Sequence, residues 1–228
     1  MTSDDVDNLA EIARRGMPYP IGVGIRHRTE GMQALLALEE QSLGPKAVER
    51  RRLYFSLGRA AARDALAERG IYGVAIGRGP SGEPLWPAGI VGAISHAGDL
   101  AIAIVGEHSH YAGLGIDFEQ LSRGLTARAA RLICTPAEMD WADPEAGTTR
   151  LMMLFSAKEA VFKALFPIEG VWLGFGDAEL TWHPQRCAFE ARLLKTASAT
   201  HPPGAVLEVR CSVLGTDVLC TTYALRGR

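Results

Sequence analysis

The sequence predicts an α+β protein, and three observations predict it. Apolar residues recur at helical spacing in several segments that carry recognisable stop signals. Other segments are short runs of small and β-branched residues, the mark of buried strands. The last four of these runs follow one another with short connections and no intervening helix, which favours antiparallel pairing over parallel crossovers. By these signs alone the chain is one compact α+β unit.

In order, Asp5 to Arg15 forms an amphipathic helix with Val6, Leu9 and Ile12 on one side. Ile21-Gly22-Val23-Gly24-Ile25 is a strand loosened by its glycines. Met32 to Leu38 is a helix tipped with acids and broken by Gly44-Pro45. Ala47 to Arg69 is a longer helix, rich in Ala and Arg and ended by Gly70. Residues 71–88 are loop around a brief Val74-Ala75-Ile76 run, and Val91 to Ser95 and Leu100 to Val105 are strands flanking a turn at Ala97-Gly98-Asp99. Ala112 to Phe118 is a further strand, and Thr126 to Cys134 a helix. Thr135-Pro136-Ala137-Glu138 has the form of an N-cap, an N1 proline and a capping-box acid. Leu151 to Phe166 is a helix closed by Pro167. Ala178 to Trp182, Cys187 to Leu193, Val206 to Val213 and Val218 to Leu225 complete the strands.

The 228 residues suffice for one large domain or two small ones, and no internal repeat is visible. A hydrophobic content of 47% and a charged content of 22% are ordinary for a globular protein. A net charge of −2 gives no bulk positive field for nucleic acid or an anionic membrane. No apolar run approaches twenty residues, and Met1-Thr2-Ser3-Asp4-Asp5 lacks the character of a secretory signal. Cys134, Cys187, Cys211 and Cys220 fall at no framework spacing, so they read as thiols in a reducing cytoplasm. His108-Ser109-His110 has the spacing of a metal pair with nothing to complete it, and reads as loop. Gly77-Arg78-Gly79-Pro80-Ser81-Gly82 matches a dinucleotide fingerprint formally, but Pro84 and Pro87 forbid the helix that should follow.

Two motifs carry chemistry. In Gly115-Ile116-Asp117-Phe118-Glu119, strand alternation points Asp117 and Glu119 one way and Phe118 the other. In Phe155-Ser156-Ala157-Lys158-Glu159-Ala160-Val161-Phe162-Lys163, Glu159 and Lys163 share a helix face, with Lys158 about 100° round. Three carboxylates and two ammonium groups would then converge where strand end meets helix. Carboxylates are the hard ligands Mg²⁺ prefers, and lysines supply charge for phosphate oxygens, so the set suits metal-assisted chemistry on a phosphate ester or anhydride. Taken singly, the first motif reads more readily as a solvated strand end and the second as an ion-paired helix face.

Together with Arg50-Arg51-Arg52, Gly58-Arg59-Ala60-Ala61, Gly82-Glu83-Pro84-Leu85-Trp86-Pro87, Gly92-Ala93-Ile94-Ser95-His96 and Trp172-Leu173-Gly174-Phe175, these motifs resemble the 4′-phosphopantetheinyl transferase family. The likeness runs from about residue 30 to about residue 180 and fits the larger single-chain class of siderophore, polyketide and nonribosomal-peptide pathways. It implies two similar α+β halves, 1–114 and 115–228, packed as a pseudo-dimer with coenzyme A in the cleft. The implied activity is transfer of 4′-phosphopantetheine from coenzyme A to a serine of an apo acyl or peptidyl carrier protein, with release of 3′,5′-ADP. The implied partners are coenzyme A and carrier proteins, without nucleic acid or membrane, and the implied state is a cytoplasmic monomer.

The resemblance also implies roles for single residues. Asp117, Glu119, Glu159 and the Phe118 backbone carbonyl would hold Mg²⁺, or Mn²⁺ in its place. Lys163 would offset charge on the pyrophosphate, and Lys158 would either do the same or bind phosphate from the flank. Glu159 is either a metal ligand or the base for the serine hydroxyl. Arg51, Arg59, Arg78, Gly79, Pro80, Ser81, Ser95 and His96 would contact the adenine and phosphate side of the coenzyme, and Leu173 its pantetheine arm. Helix geometry aligns Arg52 with Arg59, seven residues on, whereas the family pattern selects Arg51. Leu125, Arg128, Leu132 and Ile133 form an apolar and basic stripe, either a carrier-docking patch or a core face. A Mg²⁺-dependent hydrolase of coenzyme A-like pyrophosphates and a catalytically silent coenzyme-binding module are the alternatives.

Overall fold

The computed structural model describes residues 3–44, 47–143 and 147–227; Met1, Thr2 and Pro45, which figure in the sequence reading, lie outside them. The chain divides into two units, Met1–Tyr111 and Ala112–Arg228.

In the first unit, α1 (Ser3–Arg14) precedes β1 (Gly22–His27), α2 (Ala37–Leu43) and α3 (Glu49–Ala67). A two-residue ladder, β2 (Gly77–Arg78) with β3 (Pro84–Leu85), leads to β4 (Ile90–Ala97) and β5 (Leu100–Glu107). The sheet order is β1-β5-β4, antiparallel throughout, with β4 and β5 joined at Gly98-Asp99. The long α3 lies on this sheet because two glycines let it approach. A Cβ on Gly22 would stand 2.0 Å from the Ala65 carbonyl oxygen, and one on Gly24 2.0 Å from that of Ala61. These glycines seat a helix; loosening the strand is not their purpose. Leu57, Ala61, Ala65 and Leu66 are buried here, as are Ile102, Ile104 and Val105.

One helix differs from expectation. Residues 32–36 are not helical, and α2 begins only after Leu36. The cause is Glu39, which is fully buried and accepts from Leu36 N at 2.9 Å and from Ile76 N at 3.1 Å. Its carboxylate caps the helix at that point and ties it to the chain entering β2.

The second unit opens with β6 (Tyr111–Gln120) and a 3₁₀ turn (Leu121–Arg123), followed by α4 (Ala127–Ile133), α5 (Pro136–Ala142) and α6 (Thr149–Glu169). Four strands follow: β7 (Ala178–His183), β8 (Ala188–Leu193), β9 (Val206–Leu214) and β10 (Asp217–Leu225). The sheet order is β6-β10-β9-β8-β7, and the last four strands pair antiparallel. Leu151, Leu154, Ala157, Val161 and Leu165 of α6 join Phe189, Val209 and Val218 in the core. Half of the expected capping box forms, with Thr135 N donating to Glu138 Oε2 at 2.6 Å, while the Thr135 hydroxyl donates to Glu179 Oε2 at 3.1 Å. Pro167 does not close α6. The helix continues to Glu169 and stops at Gly170, left-handed at φ 69°, whose N–H bonds Phe166 O at 2.8 Å. None of the described helices is long and apolar enough to cross a membrane.

Candidate active site

The second unit repeats the glycine device. A Cβ on Gly113 would stand 1.9 Å from the Ala164 carbonyl oxygen, and one on Gly115 1.9 Å from that of Ala160. Four residues of helix advance about 6.0 Å and two of strand about 6.6 Å, so G-x-G on a strand runs in step with A-x-x-x-A on a helix. One step further along the same strand face stands Asp117. Opposite it is Ser156, whose Oγ donates to the Asp117 carbonyl oxygen at 3.3 Å. Asp117 and Glu119 thus face the helix that carries Glu159 and Lys163, and are only 3% and 7% exposed.

Each buried acid meets a cation. Lys163 Nζ donates to Asp117 Oδ1 at 2.7 Å. Arg123 Nη1 bridges both oxygens of Glu119, at 3.1 and 3.0 Å, and its guanidinium lies 5.9 Å over the Phe155 ring. Glu159, half-buried, makes no hydrogen bond or ion pair with any described residue. Burial pushes its carboxyl above the usual range; Asp117 and Glu119 push the same way, and Lys163 and Arg123 oppose them. Glu119 is raised chiefly by burial and then by Asp117, against the pull of Arg123 and Lys163. These are carboxylates held near one another at a cost, as expected where negative charge is kept for a purpose.

Among the described residues, no three His, Cys, Asp or Glu side chains are gathered as a ready cation cage. Mg²⁺ does not require one, since it keeps waters and takes one or two carboxylates alongside substrate phosphates. Buried, adjacent Asp117 and Glu119 fit that donor chemistry, with Glu159 in electrostatic reach. The Phe118 side chain is buried, so any oxygen from this position comes from its backbone carbonyl.

Lys158 departs from the expected convergence. It is 4% exposed, and its Nζ donates to Ile133 O at 2.8 Å, Glu138 Oε2 at 2.7 Å and Phe175 O at 2.7 Å. An ammonium has three donors, so none is left for a phosphate. Burial lowers its pKa while Glu138 opposes the shift, and the pair ties α6 to α4 and α5. Its neighbour Glu159 lines a cavity of about 260 Å³ with Phe162, Trp172, Leu173 and Phe175. Of the α4 stripe, Leu125 and Ile133 pack on the core, while Arg128 and Leu132 are exposed.

In the first unit, Arg59 is buried, donates to Gly77 O at 3.1 Å and lies 4.4 Å over the Phe55 ring. Its guanidinium is held down to about 10, first by burial and then by repulsion from Arg78 and Arg63, with Glu39 opposing. An anion would relieve that crowding. Arg78 is exposed and folds over Gly82, in a loop closed by Gly79 N donating to Glu83 O at 2.8 Å, with Pro80 and Ser81 exposed at its tip. This is a hairpin, in keeping with rejection of the dinucleotide fingerprint. Arg52 is committed to Glu40 at 3.1 Å, whereas Arg51 is exposed and makes no bond to a described residue. Ser95 is buried, and exposed His96 meets the Tyr54 ring edge-on at 5.4 Å.

Sequence reasoning missed Arg123 and Glu138 as partners of the motif residues. The signal for Arg123 was its place four residues beyond Glu119, within reach once the strand ends in a tight turn.

Comparison with known proteins gives a consistent result. A profile of the 4′-phosphopantetheinyl transferase N-terminal domain matches residues 39–106, and that of the 4′-phosphopantetheinyl transferase superfamily matches residues 113–221. The chain is 34% identical over 190 residues to 4′-phosphopantetheinyl transferase PptT of Mycobacterium tuberculosis, covering 77% of this chain and 80% of that protein. It is 38% identical over 144 residues to 4′-phosphopantetheinyl transferase Npt of Nocardia iowensis, covering 63% of this chain and 64% of that protein. Enterobactin synthase component D of Escherichia coli K12 is 38% identical over 135 residues, 58% of this chain and 63% of its own. The chain therefore spans just under two thirds of the length of two of these relatives.

Proposed function

The chain belongs to the 4′-phosphopantetheinyl transferase family, and we propose that it transfers 4′-phosphopantetheine from coenzyme A to a serine of an apo carrier protein. The observation that carries this reading is the acid cluster of β6 and α6, with Asp117 on Lys163 and Glu159 left without a partner among the described residues.

The serine oxygen forms a bond to the phosphorus that bears the pantetheine arm. The bond from that phosphorus to the bridging oxygen breaks, its electron pair leaves with that oxygen, and 3′,5′-ADP is released. The serine proton needs an acceptor. Glu159 has no competing bond to a described residue, and burial raises its pKa, which makes it a better base near neutrality than an ordinary carboxylate. Lys163 places a positive charge beside Asp117, where charge developing on the pyrophosphate is offset. With Glu159 acting as the base, Asp117 and Glu119, with the Phe118 carbonyl as a further oxygen, would hold Mg²⁺ or Mn²⁺, which would neutralise pyrophosphate oxygens and make the phosphorus more electrophilic. Arg59 and Arg78, crowded and short of anions, bind coenzyme phosphates, joined by Arg51 rather than the ion-paired Arg52. Ser95 and His96 contact the coenzyme from the end of β4. Leu173 contacts the pantetheine arm in the cavity beside Glu159.

Intact-protein mass spectrometry of apo carriers incubated with the protein, coenzyme A and Mg²⁺ tests this. The expected result is a phosphopantetheine-sized gain on the carrier, lost on chelation. Coenzyme A breakdown without carrier modification would replace the transferase by a hydrolase. Transfer should also decline as pH falls through the raised Glu159 pKa, and Glu159→Gln should remove that limb along with about a hundredfold of rate.

A further inference from the structure

Among the described residues, Arg123 is the one cation of the cluster that the proposed transfer does not use. It stands on the 3₁₀ turn that ends β6, and one of its nitrogens spans both oxygens of the buried Glu119 carboxylate at 3.1 and 3.0 Å. The two side chains differ sharply in exposure, 61% for Arg123 against 9% for Glu119. Glu119 is fixed at the end of its strand, while Arg123 can swing into solvent. Its guanidinium also has a second hold, the face of Phe155, which does not depend on Glu119.

We propose that Arg123 is a built-in competitor for the divalent cation, a positioning residue that occupies Glu119 until the cation displaces it. The inference rests on the reading of Asp117 and Glu119 as cation ligands. A cation about 2.1 Å from a Glu119 oxygen would place two positive charges against a guanidinium on the same carboxylate. Because Arg123 Nη1 spans both oxygens, the two cations compete for the same carboxylate, and the exposed guanidinium is the one that can give way. Lys163 is differently placed: it sits on α6 and is largely buried with Asp117 at 2.7 Å, and it stays to offset phosphate charge. The turn therefore sets how readily the site loads. Without the guanidinium, Glu119 would be bare, and buried acids would repel one another until a cation arrived.

The test is calorimetric titration of Mn²⁺ into the full-length protein at pH 8, where proton competition is small, without coenzyme or carrier. Arg123→Gln should bind Mn²⁺ about fivefold more tightly than wild type, the worth of a partly exposed ion pair. Arg123→Lys should fall between, since it keeps the charge and loses the two-oxygen contact. Arg131→Gln removes the same charge from the exposed face of α4, with no bond to Glu119, and should leave affinity unchanged. Equal affinity for wild type and Arg123→Gln overturns the proposal, as does equal tightening by Arg131→Gln. Mn²⁺ binding that Glu119→Gln leaves intact, or no binding by any variant, would instead remove the ligand reading on which the proposal stands.

Discussion

Each unit seats a helix on a strand along a seam made by the same glycine device, and the two place opposite charges beside it. In the first, Gly22 and Gly24 of β1 admit Ala65 and Ala61 of α3; in the second, Gly113 and Gly115 of β6 admit Ala164 and Ala160 of α6. Two residues past the second glycine lies Arg26 in one and Asp117 in the other. Just before the later alanine lies Asp64 in one and Lys163 in the other. Both pairs bond: Arg26 Nε to Asp64 Oδ2 at 2.6 Å, and Lys163 Nζ to Asp117 Oδ1 at 2.7 Å. The surroundings differ. Arg26 also reaches Glu30 at 2.7 Å, so both acids around it are bonded, and its guanidinium is raised chiefly by Asp64. Around Asp117 stand Glu119 and Glu159, both raised by burial, with Glu159 bonded to no described residue. One scaffold thus carries a saturated pair and an unsaturated cluster, and the proposed chemistry is assigned to the second.

The largest expected effect separates these roles directly. Asp117→Asn should lower transfer about a thousandfold while the protein still folds, with a melt lowered by the lost charge opposite Lys163. Arg26→Gln, at the equivalent strand position, should leave transfer within a few-fold. Carrier mass spectrometry with a thermal melt on each variant makes the comparison. Wild-type turnover in a folded Asp117→Asn would break it.

The seams themselves should respond alike. Gly24→Ala and Gly115→Ala each drive a Cβ into a helix carbonyl, so each should cost about 3 kcal/mol in urea unfolding. Gly115→Ala should in addition depress transfer, because displacing α6 from β6 moves Glu159 and Lys163 away from Asp117. Equal transfer in the two variants would show that the register of the second seam does not position the site.

This seam marks where the sequence was legible and where it was not. Strand and helix periods located most elements but missed the β2–β3 ladder and set α2 too early, while alternation set Asp117 and Glu119 on one face because a strand leaves no other choice. The repeat escaped notice because its signal is two glycines and two alanines separated by some forty residues, with different side chains between them. Glycine in a strand was read as looseness, since the residue alone does not reveal a helix pressing on it. Lys158 misled for a related reason. Helical angle placed it near Glu159, but its fate was decided by Glu138 and two carbonyls brought in by tertiary packing.

A smaller effect concerns stability against pH. Glu159 has a folded pKa above its unfolded one, so its stabilising contribution is present at low pH and lost as pH rises through the folded value. At pH 8 the buried charge is a burden. Glu159→Gln should therefore be more stable than wild type by about 1 kcal/mol at pH 8, with the gain shrinking toward pH 5. Melts of both proteins across that range check it. No bonded carboxylate of the first seam, such as Asp64, should show a gain on amidation.

The smallest effect compares the two ion pairs by double-mutant cycles. Arg26 and Asp64 side chains are 32% and 40% exposed, so water screens them, and their coupling should be about 0.5–1 kcal/mol. Lys163 and Asp117 are 23% and 4% exposed, and their coupling should be larger, because removing one partner strands a buried charge on the other. Adding Mn²⁺ should then act on one cycle alone. It should weaken the Lys163–Asp117 coupling, since a bound cation takes over part of the work of the ammonium, and should leave Arg26–Asp64 unchanged. A metal-sensitive first pair would mean that the saturated seam is not merely structural, and a metal-blind second pair that Asp117 is no ligand.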